Sequence, residues 1–246
     1  MPFETLPLFR DDAYRRDCEA KIVAHNERGG IVLDRTVFYA TSGGQPGDTG
    51  RLVVAGGAIV PIAATVYGDD KIGIVHVPAS GDQLPAIGMP VLAEIAWERR
   101  HRHMRMHTAL HLLCSLIPFP VTGGSIGVEE SRLDFDISDA GAVDKDELTE
   151  KLGALVAADH PVATFWISDQ ELADNPGLIR TMSVKPPTGS GRVRLVSIGV
   201  DDSVDLQPCG GTHVRSTLEI GRVAVTKIEK KGRQNRRIRL SFAEGA

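Results

Sequence analysis

The sequence predicts an α+β protein: a small β-barrel-like domain at residues 1–95, then a two-layer α/β domain at 96–246 with helices on an antiparallel sheet. Three observations predict it. Short apolar runs broken by Gly, Pro and Asp turns fill the first stretch, as in a chain of short strands. The apolar period then changes to helical spacing over 98–117. Beyond that point helical segments are followed by several strand-like runs, the ordering of an α+β layer pair. A chain of 246 residues is long enough for two modest domains, each with its own core.

In the first domain, "RLVVAGGAIVPIAATVYG" (51–68), "KIGIVHVPAS" (71–80) and "PVLAEIAW" (90–97) read as strands. "ERRHRHMRMHTALHLLCSLI" (98–117) reads as a helix, and Pro118 and Pro120 stop it. "RLDFDIS" (132–138) is a strand. A second helix runs from about Asp144 to Ala158, with the acidic "DKDE" where the helix dipole favours negative charge. "PVATFWIS" is a further strand, leading to a short helical piece near "DQELADNP". After the "KPPTGSG" loop (185–191) come four strands: "RVRLVSIG", "SVDLQP", "IGRVAVTKIEK" and "RRIRLSFA".

Composition narrows the function classes. Hydrophobic content of 42% and charged content of 24% are ordinary for a globular protein. No apolar run approaches the roughly 20 residues a membrane span requires, and the N-terminus lacks the pattern of a signal peptide. Cys18, Cys114 and Cys209 are odd in number and scattered, so a disulfide framework is not expected and a reducing cytoplasm is. The net charge is −4, yet "KIEKKGRQNRRIR" (227–239) holds seven Lys or Arg against Glu229 alone. That stretch reads either as a polyanion footprint or as a strand edge protected by charge.

The chemistry gathers in two places. His107 and His111 are spaced i, i+4 in the first helix, which puts both imidazoles on one face about a turn apart. His103 extends the spacing backwards, and Cys114 lies near the same face. By itself this also describes a helix with satisfied polar residues on one flank. "QPCGGTH" (207–213) adds Cys209 and His213 in a glycine-bearing loop, where Gly210 and Gly211 can take positive φ and fold the chain back. Together His107, His111, Cys209 and His213 supply three imidazoles and a thiolate, a donor set suited to Zn²⁺. His101 and His103 read as exposed neighbours of Arg99, Arg100, Arg102 and Arg105. Four arginines near a helix N-terminus oppose the dipole, so they mark either a bound anion such as a phosphate or a solvated basic face.

"HTALHLL" and "QPCGGTHV" resemble the editing domain of alanyl-tRNA synthetase and its free-standing relatives, the AlaX alanyl-tRNA editing proteins. "LDRTVFYATSGGQPGDTG" (33–50), "GGSIGVEESRLDFD" (123–136) and "EIGRVAVTKIEKKGRQNRRIRL" are similar to further segments of that family, in the same order. The HxxxH and CxxxH pair is shared with threonyl-tRNA synthetase editing domains, and the "GGQ" stretch points to the alanyl branch. With neither a catalytic core nor a long C-terminal extension, the chain resembles the medium-length stand-alone form. The resemblance implies trans hydrolysis of mischarged tRNA for alanine bearing serine or glycine, at a zinc site and without a nucleotide cofactor. It also lifts Gln45 and Ser125 to candidate catalytic residues, through hydrogen bonds to substrate. Lys230, Lys231, Arg233, Arg236 and Arg237 become candidate phosphate contacts to tRNA. Arg132 meets a phosphate or pairs with Asp134 or Asp136. Four protein donors normally close a zinc site. One ligand therefore stays off, or the ion expands its coordination, or the metal holds substrate while another group positions water, or the histidines act through the ribose hydroxyls without metal. The alternative from another class is a zinc-stabilised tRNA- or RNA-binding module without hydrolytic activity.

Overall fold

A computed structural model of the chain describes residues 4–69, 72–80, 84–138, 143–180, 191–232 and 234–243. They form two compact units, one extending to His101 and the other beginning at Arg102. Among the described residues no helix is long and apolar enough to cross a membrane.

The first unit is a closed antiparallel barrel. Its strands are β2 (Asp17–His25), β3 (Ile31–Leu33), β5 (Gly50–Val54), β6 (Ile59–Tyr67), β7 (Ile74–Pro78) and β8 (Pro90–Ile95), in the order β2-β3-β7-β6-β5-β8. A two-residue parallel pair, β1 (Leu6–Pro7) with β4 (Arg35–Thr36), stands outside it. Period-two alternation decides what faces inward: Cys18, Ala20 and Ile22 on β2, and Val91, Ala93 and Ile95 on β8, are buried with Leu33, Phe38 and Leu52. In "TSGGQPGDTG" the turn at Ser42–Gln45 closes by reciprocal backbone bonds, Gln45 N to Ser42 O at 2.8 Å and Ser42 N to Gln45 O at 3.1 Å. Gly43 and Gly44 take positive φ there, and a Cβ on the nearby Gly47 would lie 1.9 Å from the Thr65 carbonyl oxygen.

The first helix, α1 (Trp97–Leu116), contributes its first turn to this unit, the division falling after His101. Arg100 supplies the physical reason. Its side chain is 0% exposed and ion-paired with Asp48, while its Nη1 and Nη2 donate to Ala13 O (2.9 Å) and Val37 O (2.7 Å). Asp48 also accepts the Tyr39 amide at 2.6 Å. The guanidinium is thus fully satisfied by the barrel unit.

The second unit contains two antiparallel sheets with helices on them. The four-stranded sheet runs β14 (Val223–Lys230), β15 (Asn235–Phe242), β10 (Glu130–Asp136), β9 (Val121–Ser125). The three-stranded sheet runs β11 (Val162–Ser168), β12 (Arg192–Ile198), β13 (Asp205–Pro208). Helix α2 (Lys145–Ala157) starts where Asp144 accepts the amides of Asp146 and Glu147, and it is tied to β14 by Val225 N donating to Thr149 Oγ1 at 3.1 Å. Helix α3 (Asp169–Asp174) opens with a capping box between Ser168 and Glu171. The α+β architecture with a leading barrel is as the sequence predicts. The "KPPTGSG" loop lies outside the described residues up to Ser190.

Two outcomes follow for stability. Replacing Asp48 by Asn leaves a buried guanidinium without its counter-charge, and should cost about 3–5 kcal/mol in denaturant unfolding; Arg100→Met with Asp48→Leu should recover much of it. The second concerns His76, fully buried in the barrel with its ring bonded to Thr36 Oγ1 (2.8 Å) and Ile31 O (3.0 Å). Burial pushes its pKa down to about 4. The unfolded chain therefore binds the proton first, and stability is full above about pH 6.5 and is lost as pH falls toward 4, by about 3 kcal/mol. Unfolding curves at pH 7 and pH 4.5 should show a smaller acid loss for His76→Gln than for the wild type.

Candidate metal centre

The second unit brings four sequence-predicted donors to one point. One ligand atom from each of His107, His111, Cys209 and His213 lies within 4.8 Å of all the others. Cys209 Sγ stands 3.4 Å from His107 Nε2 and 3.3 Å from His213 Nε2. The imidazole centroids of His107 and His213 are 4.3 Å apart, and those of His111 and His213 are 4.7 Å apart. The two Sγ–Nε2 spacings match the edges, about 3.3–3.8 Å, of a tetrahedral site with bonds of about 2.0–2.3 Å, as Zn²⁺ makes to nitrogen and sulfur.

The two histidines at helical spacing sit mid-helix, where α1 is buried on every side from Met106 to Cys114. Such a helix is a rigid mount. Its last carbonyls are satisfied by Arg180, whose Nη2 donates to Cys114 O (2.8 Å) and Ile117 O (3.0 Å). The loop comes off β13 opposite β12. Cys209 N donates to Arg194 O at 3.0 Å, and Arg194 Nη1 returns bonds to Cys209 O (3.0 Å) and Gly211 O (2.9 Å). Neither Gly210 nor Gly211 adopts a positive φ, so this clamp and not a left-handed turn shapes the loop.

Hydrogen bonds beyond the donors set their protonation. His111 Nδ1 donates to Asp205 Oδ2 at 2.8 Å, and Gln207 Nε2 also donates to that oxygen at 2.8 Å. Thr108 Oγ1 donates to Met104 O (2.9 Å), leaving a lone pair for His213 Nδ1 at 3.2 Å. Both rings thereby keep the second nitrogen for a cation, the arrangement that fixes tautomers in metal sites. The Gly211 amide donates to Cys209 Sγ at 3.4 Å. Burial opposes the Cys209 thiolate, but the surrounding imidazoles, His107 and His213 foremost, outweigh it and hold the thiol well below its ordinary range. For His111 burial is likewise opposed and overcome, by Asp205 and Cys209, which carry it up to about 10. Burial and the charge of His107 push His213 well below its ordinary value. The cluster therefore favours a thiolate with positive charge beside it, and a divalent metal meets that demand as a proton does.

Gln45 belongs to the barrel unit and is fully buried in its turn. Ser125 ends strand β9 and is exposed, opposite Arg132. Arg132 Nη1 pairs with Asp134 at 2.6 Å, as one sequence alternative has it, and Arg237 binds the same carboxylate through Nε (2.7 Å) and Nη2 (2.8 Å). Arg236 is buried on the inward face of β15 with Nη2 on Ser138 O at 3.3 Å, so it is not presented to a phosphate. Lys230 and Lys231 are exposed, and Arg233 lies outside the described residues. The helix arginines divide between the two units. Arg100 is sequestered as described, and Arg99 donates to Gly47 O at 2.7 Å. Arg102 binds Val128 O (2.9 Å) and Glu129, and Arg105 binds Ile220 O (2.9 Å). His103 is buried, not exposed, because it lies one turn before His107 on the same helix face. Sequence reasoning missed Asp205, Gln207, Thr108 and Arg194. None of them stands in a local pattern that announces its role.

Comparison with known proteins now decides the family. The chain is 34% identical to the alanyl-tRNA editing protein AlaX-M of Methanosarcina mazei over 98% of both chains, and 33% identical to that of Methanosarcina acetivorans over 94% of this chain and 96% of the relative. The chain belongs to the AlaX-M family of alanyl-tRNA editing proteins. It is also 35% identical to an alanine–tRNA ligase of Pyrobaculum arsenaticum, over 92% of this chain but 25% of the ligase. Residues 193–239 match the family model described as threonyl and alanyl tRNA synthetase second additional domain, and residues 12–99 match class II (A) tRNA synthetases. Within this AlaX-M chain, the first match carries Cys209 and His213 while both helix histidines lie outside the two matched spans.

The bracing makes an outcome measurable. Asp205→Asn, which keeps shape but removes the charge on His111, should weaken Zn²⁺ affinity about 10–100-fold by competition with a chromophoric chelator. Wild-type affinity in that variant would show that the Asp205 charge does not support the site.

Proposed function

We propose that this chain hydrolyses mischarged tRNA for alanine, releasing serine or glycine from the ester at the terminal ribose, and that His107, His111, Cys209 and His213 hold Zn²⁺ for that work. The observation that carries the reading is the convergence of these four donors in a chain similar to AlaX-M proteins along nearly its whole length. Three imidazoles and a thiolate fit zinc, borderline in softness, better than the hard cations that prefer oxygen. When bound, the metal would polarise the ester carbonyl and lower the pKa of a water.

The chain's own residues supply the rest. Asp205 holds the proton on His111 Nδ1 and Thr108 receives the one on His213 Nδ1, so both rings stay aimed at the centre. Lys230 and Lys231, exposed at the end of β14, are the proposed phosphate contacts, together with Arg233. Arg132 and Arg237 each bear a charge shared with Asp134, and contact a phosphate only at the edge of that pair network. Ser125 is retained as a proposed hydrogen-bonding partner of the substrate, while Gln45, fully buried in its turn, is not presented to one. Phosphate contacts fix orientation without reading sequence, and binding should weaken steeply with salt. The setting is the cytoplasm, where tRNA is charged.

The deciding assay follows serine release from Ser-tRNA for alanine by wild type and Cys209→Ala, before and after chelation and zinc addition. Wild-type turnover that falls more than about 100-fold on chelation or in Cys209→Ala, and returns with zinc only in the wild type, is expected. A folded, tRNA-binding protein that hydrolyses nothing at any zinc level would instead assign the four donors to a structural zinc in an RNA-binding module.

A further inference from the structure

The three-stranded sheet carries an aromatic side chain that the metal centre does not use. Strand β11 is its edge, and Trp166 on it is 36% exposed. Register fixes where that indole stands. Trp166 pairs with Arg194, and Arg194 accepts the Cys209 amide at 3.0 Å, continuing the Leu195–Pro208 pairing of β12 with β13. Partners across an antiparallel pair share a face. Trp166, Arg194 and Cys209 therefore form one row, with the metal donor at one end and the indole at the other. Two interstrand spacings separate the ends, about 10 Å between backbones, the reach of a nucleotide or two. Arg192, on the same face, holds its guanidinium carbon 4.4 Å from the indole centroid.

A partly exposed indole with a guanidinium stacked over its ring, at an edge of the sheet that carries Cys209, matches what single-stranded nucleic acid recognises: a planar surface on which a base can stack and positive charge for the adjoining phosphate. We propose that Trp166 and Arg192 form a stacking platform for a base of the single-stranded 3′ end of tRNA, which delivers the terminal ester to the Cys209 end of the row. The platform rests on the editing reading for its substrate. Phe165, 40% exposed on the opposite face of β11, takes no part.

The test uses the full-length protein. Steady-state deacylation of Ser-tRNA for alanine is compared for wild type, Trp166→Ala, Trp166→Phe and Phe165→Ala. Separately, the fluorescence of a Trp97→Phe protein, in which Trp166 is the only tryptophan, is titrated with the trinucleotide CCA. Loss of one stacked base should raise KM about 5- to 150-fold in Trp166→Ala. Turnover at saturation should stay within about twofold, with Trp166→Phe close to wild type and Phe165→Ala unchanged. The trinucleotide should quench Trp166 saturably. A wild-type KM in Trp166→Ala, or an indole that CCA leaves unquenched, overturns the platform. Self-association of the wild type that Trp166→Ala abolishes also overturns it, by assigning the face to a second copy of the chain. A wild type that hydrolyses nothing while CCA still quenches Trp166 sinks the editing reading and leaves the platform standing.

Discussion

The hydrogen bond from His111 Nδ1 to Asp205 is the constraint on which the centre depends. It joins a helix residue to a strand residue 94 positions later, at 2.8 Å and away from water. Because Asp205 and Gln207 share one face of β13, fixing the carboxylate also fixes the strand that launches Cys209. The second brace runs from Thr108 to His213 and ties the far end of the loop to the same helix. Two crossings between one helix and one loop leave little freedom for four donors. That matters because a loop with two glycines has much conformational entropy to lose. Preorganisation is achieved by these hydrogen bonds and by the Arg194 clamp, before any ion is considered.

Arginine does two different jobs in this chain. Arg100, Arg180 and Arg194 aim planar donor forks at carboxylates and backbone carbonyls, satisfying acceptors that would otherwise be orphaned. The strongly basic C-terminal stretch is likewise largely matched by acid. Arg239 binds Glu229 (2.6 Å) and Glu130, and with Lys227 it holds Glu229 down to about 2. Asp134, disfavoured by burial, is nonetheless held below the usual range by Arg237 and Arg132. A local excess of cations along the sequence is therefore a poor measure of free charge on the surface. Among the described residues of that stretch, the exposed Lys230 and Lys231 are what is left for a polyanion.

How much was legible follows from how local each signal is. The period change at residue 98 and the turn-broken runs before it announce the barrel and the helix, because alternation and helical spacing are short-range patterns. The spacing of His107 with His111 and of Cys209 with His213 is equally local, and so the donors could be named. Their companions could not, because Asp205, Thr108 and Arg194 act across 94, 105 and 15 residues of chain and resemble ordinary surface residues until the fold joins them. The burial of His103 and of Arg100 was not legible for a related reason. A helix with a charged flank looks amphipathic, yet α1 is wrapped on every side through its middle, and the sequence does not show what covers a helix. Arg236 fails on parity alone: on β15 the even positions point inward, and the boundary of that strand decides which arginines are even.

The three cysteines show how the fold selects one for chemistry. Cys18 points into the barrel and Cys114 into the helix core; burial raises the first and pushes the second up to about 12, so both remain thiols that pack as small hydrophobes. Cys209 is the one of the three that is only partly buried and whose neighbours favour the thiolate. A thiolate among imidazoles, one of which is itself driven toward the cation by Asp205, is unstable against oxidation unless its charge is shared. The same fields that make the sulfur reactive make it a strong ligand, and with His107, His111 and His213 it forms a group that could hold a metal ion. The odd cysteine in a glycine loop is thus explained by its surroundings, and the surroundings are built by residues whose own importance no local pattern announces.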